Sequence, residues 1–254
     1  MTDLTGRTIL LTGASSGIGA ATARILGAAG ASLIAHYAGD KAGAEDATSE
    51  IPAGRKLLLR ADFREPGAGR DLWARALAWR ERIDVLVNNA AIMPDNPIDA
   101  PDEDWDETWS QILRVNVVEP ASLIRGAVRH YREAGGGIII SMSSWAGQQG
   151  SAIPQLSAYA ATKAAIKAVT QTMARVHAAD GVLAYVIAPG IVRTQMSESS
   201  SAFRGGEEAV RAILPLGDMV PPAEVGNLVA FLSSGLCRHL SGATLDVNGA
   251  SYVR

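Results

Sequence analysis

Residues 8–19 read Thr8-Ile9-Leu10-Leu11-Thr12-Gly13-Ala14-Ser15-Ser16-Gly17-Ile18-Gly19 and run on into the alanine-rich stretch Ala20–Ala28. Apolar and β-branched residues ending at a glycine predict a short buried strand, and the run that follows predicts a helix over Gly17–Ala28. Between two such elements each glycine has a physical task. Gly13 permits a tight strand-to-helix turn, Gly17 lets the backbone come close to a pyrophosphate, and Gly19 allows the helix to pack against the sheet. The helix start adds unpaired N–H groups and the positive end of a dipole, a suitable seat for phosphates. Glycine spacing alone would carry little; its place directly after the first strand carries the reading.

The same alternation continues along the chain. Strands are expected at Thr8–Leu11, Ser32–His36, Lys56–Ala61, Asp84–Val87, Gly137–Met142, Leu183–Ala188 and Thr244–Asp246. Helices are expected near Gly17–Ala28, Gly43–Ser49, Gly67–Arg82, Glu103–Arg132, Ser157–Ala179 and Pro222–Ser233. Strands separated by helices indicate βαβ units, and so an α/β fold: one doubly wound, Rossmann-type domain over residues 1–254, with a mostly parallel sheet of about seven strands and helices on both faces. The segment Val192–Val220, with its serine cluster, paired glycines, Pro215 and the Pro221-Pro222 pair just after it, breaks this rhythm and reads as a lid over the site.

The 254 residues carry 48% hydrophobic and 19% charged residues and a net charge of −3, enough apolar material for a core and no basic face for nucleic acid. Apolar runs such as Ile138–Ile140 are far too short to span a membrane, and no secretory leader is visible at Met1–Gly6. The single Cys237 fits a reducing cytoplasm and reads as a small apolar filler near a helix end. His36, His130, His177 and His239 lack metal-ligand spacing, so no metal is expected.

Tyr159 and Lys163 lie four residues apart in a helical stretch and therefore share a face. A phenol with a pKa of about 10 is a sluggish acid or base near neutrality, and a neighbouring ammonium pulls it down. Ala158, Ala160, Ala161 and Ala164 leave that face unobstructed. Ser144 closes the fifth strand, at the sheet edge where ligands bind, with a hydroxyl able to bond a substrate oxygen. Asn116 stands mid-helix against its propensity, which hints at a polar task. Asp62 ends the third strand, placed to accept from an adenine amino group. In Asn88-Asn89-Ala90-Ala91 the small residues let the chain pass near a ribose while the asparagines tie down neighbouring loops.

Together these motifs resemble the short-chain dehydrogenase/reductase family: the glycine turn, Asn88-Asn89-Ala90, Ser144, Tyr159-x-x-x-Lys163, and Pro189-Gly190-Ile191-Val192-Arg193-Thr194 after the sixth strand. The resemblance spans nearly the whole chain. It implies an NAD(P)-dependent oxidoreductase that moves a hydride between a nicotinamide and a small ketone or secondary alcohol. A tetrad is implied in which Tyr159 is the acid/base and Ser144 polarises the carbonyl. Lys163 holds the nicotinamide ribose and lowers the Tyr159 pKa, and Asn116 positions a proton-relaying water. The dinucleotide would run along Gly13, Ser15, Ser16, Gly17, Ile18 and Gly19. It would pass Tyr37, Asp62 and Phe63 at the adenosine end, cross Asn89 and Ala90, and reach Tyr159, Lys163, Pro189, Gly190, Val192 and Thr194. Thr194 would take the carboxamide. The resemblance further implies a homotetramer built on the helices carrying Asn116 and Tyr159.

Three departures stand out. Ala91 replaces a usual glycine, and Ser144 precedes Tyr159 by 15 residues, lengthening the loop Gln148–Gln155. Tyr37 stands where an NAD-using relative carries an acidic residue, which favours NADP over NAD, although Ser16 replaces the basic residue common in NADP-using turns and only Lys41 lies nearby. The tail Leu240–Gly249 suggests a 3-oxoacyl-thioester reductase type. Asp180 argues against an acidic carrier, since it stands where reductases of carrier-bound substrates have a basic residue. Met93, Trp145, Gln148, Gln149, Ile191 and Met196 are expected pocket walls for a moderately apolar, uncharged substrate. The competing reading is a regulatory protein that binds the cofactor without turnover; such relatives typically lose the tyrosine or the lysine, and both are present.

Overall fold

Strand β1 (Thr8–Leu11) sends Ile9 and Leu11 to one side of the sheet and Leu10 to the other, all fully buried. This period of two repeats in β2 (Ser32–Tyr37), β4 (Val85–Asn88), β5 (Gly137–Met142) and β6 (Val182–Pro189), so the central strands are apolar on both faces, as a parallel sheet covered on both sides requires. With β3 (Lys56–Arg60) and β7 (Thr244–Val247) the order is β3-β2-β1-β4-β5-β6-β7, and every pair is parallel. The computed structural model describes residues 2–197 and 206–253.

Helices α1 (Gly17–Ala28), α2 (Lys41–Ala47) and α9 (Pro222–Ser233) cover one face, where Ala23, Leu26, Ala47, Val225 and Val229 meet Ile9, Leu33, Val85 and Ile138. On the other face lie α3 (Ala68–Trp79), α5 (Glu119–Ala134) and α7 (Ser157–Val176), with Leu72, Leu123, Tyr131 and Ile166 against Leu10, Ile34, Leu86 and Ile139. The doubly wound fold is thus as expected. The chain proceeds from β1 to one side of the sheet and returns to β4 on the other. Their connections diverge at the carboxyl ends and leave a crevice there. Among the described residues no helix is long and apolar enough to cross a membrane.

The single helix expected over Glu103–Arg132 is instead three pieces: α4 (Asp102–Leu113), a π-helical turn Arg114–Val118, and α5. Pro120 is the reason. It has no N–H to donate to the carbonyl of Asn116 four residues earlier, and its ring crowds the preceding turn, so the ladder shifts by one residue. The shift also turns Glu119 inward. Its carboxylate, 1% exposed, accepts the N–H groups of Gly67 (2.9 Å) and Gly69 (2.8 Å) at the start of α3. Glu119→Ala would strand both donors, and a loss of about 2–4 kcal/mol is expected. Urea unfolding followed by circular dichroism checks this; an unchanged midpoint would remove Glu119 from the fold's support.

A small helix, α6 (Ala146–Gln149), follows β5, and α8 (Glu207–Ala212) lies within the irregular insertion. The base of that insertion is closed by a bridge between Val192 and Val220, and Val210, Leu214 and Met219 pack with Ile191 against Trp145. Its middle, residues 198–205, lies outside the described residues. Cys237, expected as a packed filler, is exposed, because the chain has already left α9 for the surface turn that leads to β7.

Candidate active site

Thr12 organises the nucleotide end. Its hydroxyl, buried with the rest of the side chain, donates to the Val87 carbonyl (3.3 Å) and accepts the N–H groups of Asn89 (2.9 Å) and Ala90 (3.0 Å). The Asn89 amide donates to the carbonyls of Thr12 (2.9 Å) and Gly13 (3.1 Å), so the loop after β4 clamps the turn after β1. Gly13 has φ +68° and Gly17 φ +51°, conformations that side chains rarely adopt. A Cβ on Gly13 would sit 2.9 Å from the Ala90 Cα, and one on Gly19 only 1.8 Å from the Gly13 oxygen. The turn is therefore closed on itself beneath the groove, with the start of α1 facing outward.

The reacting end is held by β5 and α7. The Ser143 hydroxyl donates to the Lys163 carbonyl (2.8 Å), and the Lys163 ammonium donates to the Met142 carbonyl (2.9 Å). Gly147 lets α6 come against α7, since a Cβ there would fall 2.7 Å from the Lys163 carbonyl carbon. The Lys163 Nζ lies 5.6 Å from the centre of the Tyr159 ring, on the shared helical face. The Ser144 hydroxyl stands near that of Tyr159. Burial pushes the Tyr159 phenol up to about 12, the neighbouring Ser144 hydroxyl opposing it, and burial also pulls Lys163 down to about 8.

Both ends face one continuous groove of about 910 Å³, near the upper limit of ordinary ligand pockets. Gly13, Ser15, Ser16, Gly17, Ile18 and Gly19 line its floor. Asp62 and Phe63 form the far wall, Asn89 and Ala90 the middle, and Pro189, Gly190, Val192 and Thr194 the side toward the insertion. Ser144, Tyr159 and Lys163 line the reacting end. This shape fits a nicotinamide dinucleotide: the glycine cradle that a Cβ would fill stands at one end and the serine–tyrosine–lysine cluster at the other.

Two expected site residues stand elsewhere. Tyr37 is 8% exposed and does not line the groove; Ala38, Gly39 and Asp40 make the rim there, because β2 ends at Tyr37 and turns its side chain into the protein. Asn116 is also absent from the lining. Its amide oxygen accepts the Ile92 N–H (2.9 Å), and its NH₂ donates to the Ile92 carbonyl (2.9 Å) and the Thr162 hydroxyl (3.1 Å). The side chain thus ties the loop after β4 to the helix carrying Tyr159. Of the expected walls, Met93, Trp145, Gln149, Ile191 and Met196 line the groove, whereas Gln148 turns away to donate to Asp246.

Sequence reasoning missed His36, Arg64, Gln111, Val115, Ile153 and Leu156, all of which line the groove. For the last four the signal was lacking, since loops and a helix end distant in sequence converge only in three dimensions. His36 was visible as an imidazole inside a buried strand. Among the described residues no cluster of three His, Cys, Asp or Glu could hold a metal.

The family model described as enoyl-(acyl carrier protein) reductase matches residues 13–250, which takes in the glycine turn, Ser144, Tyr159 and Lys163. The chain belongs to the short-chain dehydrogenase/reductase family. It is 31% identical to 3beta-hydroxysteroid dehydrogenase 1 of Eggerthella lenta over 97% of this chain and 94% of that protein. With cis-4-hydroxycyclohexanecarboxylate dehydrogenase of Sinomonas cyclohexanicum the identity is 35% over 96% and 95%. The crystal structure of a 3-oxoacyl (acyl-carrier-protein) reductase from Agrobacterium tumefaciens C58, with NADP bound, superposes with a TM-score of 0.87 at 32% identity, over 97% of this chain and 95% of that one. As a short-chain dehydrogenase/reductase the protein is an NAD(P)-dependent oxidoreductase acting between ketones and secondary alcohols.

Proposed function

We propose that this short-chain dehydrogenase/reductase uses NADP(H) to interconvert an uncharged, moderately apolar ketone and its secondary alcohol, with Tyr159 as acid/base. The observation that carries the reading is the meeting of Ser144, Tyr159 and Lys163 at the end of a groove continuous with the glycine turn. Ser144 donates to the substrate oxygen and steadies the charge that develops on it. Tyr159 gives that oxygen its proton in reduction and takes it back in oxidation. Lys163 has three donors, one of them bound to Met142, which leaves two for the ribose hydroxyls. A nicotinamide bound there supplies or accepts the hydride and, when oxidised, adds a positive charge that draws the Tyr159 phenol down. The Asn116 side chain is committed to Ile92 and Thr162, so a water held by this residue would meet its main-chain carbonyl, which Pro120 leaves without an i+4 donor. Monitoring NADPH oxidation against a panel of neutral ketones tests the reading; binding without turnover on any of them would favour a regulatory role.

The preference for NADP(H) rests on charge. No carboxylate stands at Tyr37, and Arg64, which pairs with Asp62 at 3.6 Å, brings a cation to the adenosine end, while Asp40 at the rim accepts the Gly43 N–H (2.8 Å). A 2′-phosphate meets no carboxylate at Tyr37 and can pair with Arg64, and KM for NADH is expected to exceed that for NADPH by about tenfold or more, the worth of one charge-assisted contact. A ratio below one would reverse the assignment. For the substrate, Lys163 is the sole charged side chain lining the reacting half among the described residues, while Gln111 and Gln149 offer neutral hydrogen bonds. Asp180, which pairs with His177 and Arg132, sets a negative charge where an acidic carrier would otherwise meet only basic side chains.

The insertion at 192–220 is read as a lid, since Ile191, Met196 and Ile213 face the substrate end of the groove. A homotetramer is supported by apolar side chains left exposed on the helices that would pair: Leu113, Val118 and Val176. Light scattering should give four times the chain mass; a monomer would reject it. The lone cysteine supports a reducing cytoplasm.

A further inference from the structure

His36, 2% exposed at the end of β2, touches three parts of the groove at once. Its Nδ1 accepts the Gly13 N–H (3.1 Å), and its Nε2 lies 2.9 Å from the Ala61 carbonyl. Its main-chain carbonyl accepts the Ala14 N–H (2.8 Å), and its ring stacks on Phe63 with centroids 4.5 Å apart and planes 10° from parallel. A carbonyl can only accept, so Nε2 carries the hydrogen and Nδ1 is the acceptor. One neutral tautomer satisfies both contacts. A second proton would set Nδ1–H against Gly13 N–H, donor against donor.

The contacts have a clear geometry. Gly13 opens the turn that faces the phosphates, and Ala61 directly precedes Asp62 and Phe63, the far wall of the groove. The imidazole therefore spans the gap between the two surfaces that would hold the pyrophosphate and the adenine. We propose that His36 is a positioning residue for the dinucleotide: the neutral ring fixes the spacing of the glycine turn and the Asp62–Phe63 wall, and so sets affinity for the adenosine diphosphate half without touching the hydride transfer. This rests on the reading that the groove takes a nicotinamide dinucleotide. Burial holds the ring's pKa down to about 4, Arg75 lowering it further and Asp62 opposing, so the tautomer persists at neutral pH.

The test is to titrate NADPH, by its own fluorescence, and adenosine 2′,5′-bisphosphate against the whole protein and its variants. His36→Leu is expected to weaken both ligands by about tenfold or more, the worth of a lost buried hydrogen bond, while kcat at saturating NADPH stays within about threefold. His36→Asn, whose Oδ1 can accept from Gly13, should recover most of that affinity. The inference is overturned if His36→Leu binds both ligands as tightly as the wild type. It is equally overturned if kcat at saturation falls in step with affinity and His36→Asn restores neither. Should His36→Leu not fold, His36→Asn is compared with His36→Gln, which keeps the Ala61 contact and gives up Gly13. Looser binding by the Gln variant supports the inference; equal or reversed affinities overturn it. A wild type that binds no NADPH overturns the proposed function along with it, whereas an unaffected His36→Leu removes only this role.

Discussion

Tyr159→Phe is expected to bind NADPH within about threefold of the wild type and to lose turnover by a factor on the order of 10²–10⁴, the usual span of a general acid/base contribution. The substitution keeps the aromatic ring, and with it the packing of a half-buried side chain on α7. What it removes is one hydroxyl, the phenol that stands beside Ser144 and Lys163 at that end of the groove. The glycine turn and the Lys163 ammonium are untouched, which is why affinity should hold. Stopped-flow NADPH oxidation, run beside fluorescence titration, separates the two quantities. Full turnover in the variant would end the acid/base assignment, and loss of binding would move Tyr159 from proton transfer to cofactor seating.

Gly19→Ala acts at the opposite end and through sterics alone. The added methyl would lie 1.8 Å from the Gly13 oxygen and 2.7 Å from the Asn89 amide nitrogen. Neither is the tip of a flexible side chain free to swing away: one is backbone, the other is the clamp that holds Thr12 and Gly13. Helix α1 must therefore move off the turn, carrying its first N–H groups out of register with the phosphates. NADPH affinity should fall by about 100-fold or more, and stability by about 1–3 kcal/mol, as for other overpacked sites. Gly54→Ala is the control: nothing lies within 4 Å of its added Cβ, and both quantities should stay put. A Gly19→Ala protein that binds NADPH normally would show that the turn is not the phosphate seat.

These two residues were also the most legible, because their meaning is local. A tyrosine and a lysine one helical turn apart must share a face, and a glycine opening a helix after a buried strand needs little else to be understood. Apolar periodicity likewise located all seven strands to within about two residues. Asn116 shows where locality ends. Its polar task was readable, yet its partners Ile92 and Thr162 lie 24 and 46 residues away. The π-helical turn around it follows from Pro120, a residue in plain view whose missing N–H was passed over.

What the linear chain determined by itself was the doubly wound sheet, the glycine turn and the shared helical face of Tyr159 and Lys163, since strand and helix periods and i,i+4 spacing are properties of neighbouring residues. What only the tertiary structure decided was the shape of the groove: Tyr37 turned inward, Gln148 turned to Asp246, and His36 set between Gly13 and Ala61. Those outcomes depend on which atoms meet across the sheet, and a buried polar group takes whatever partner the packed fold brings to it.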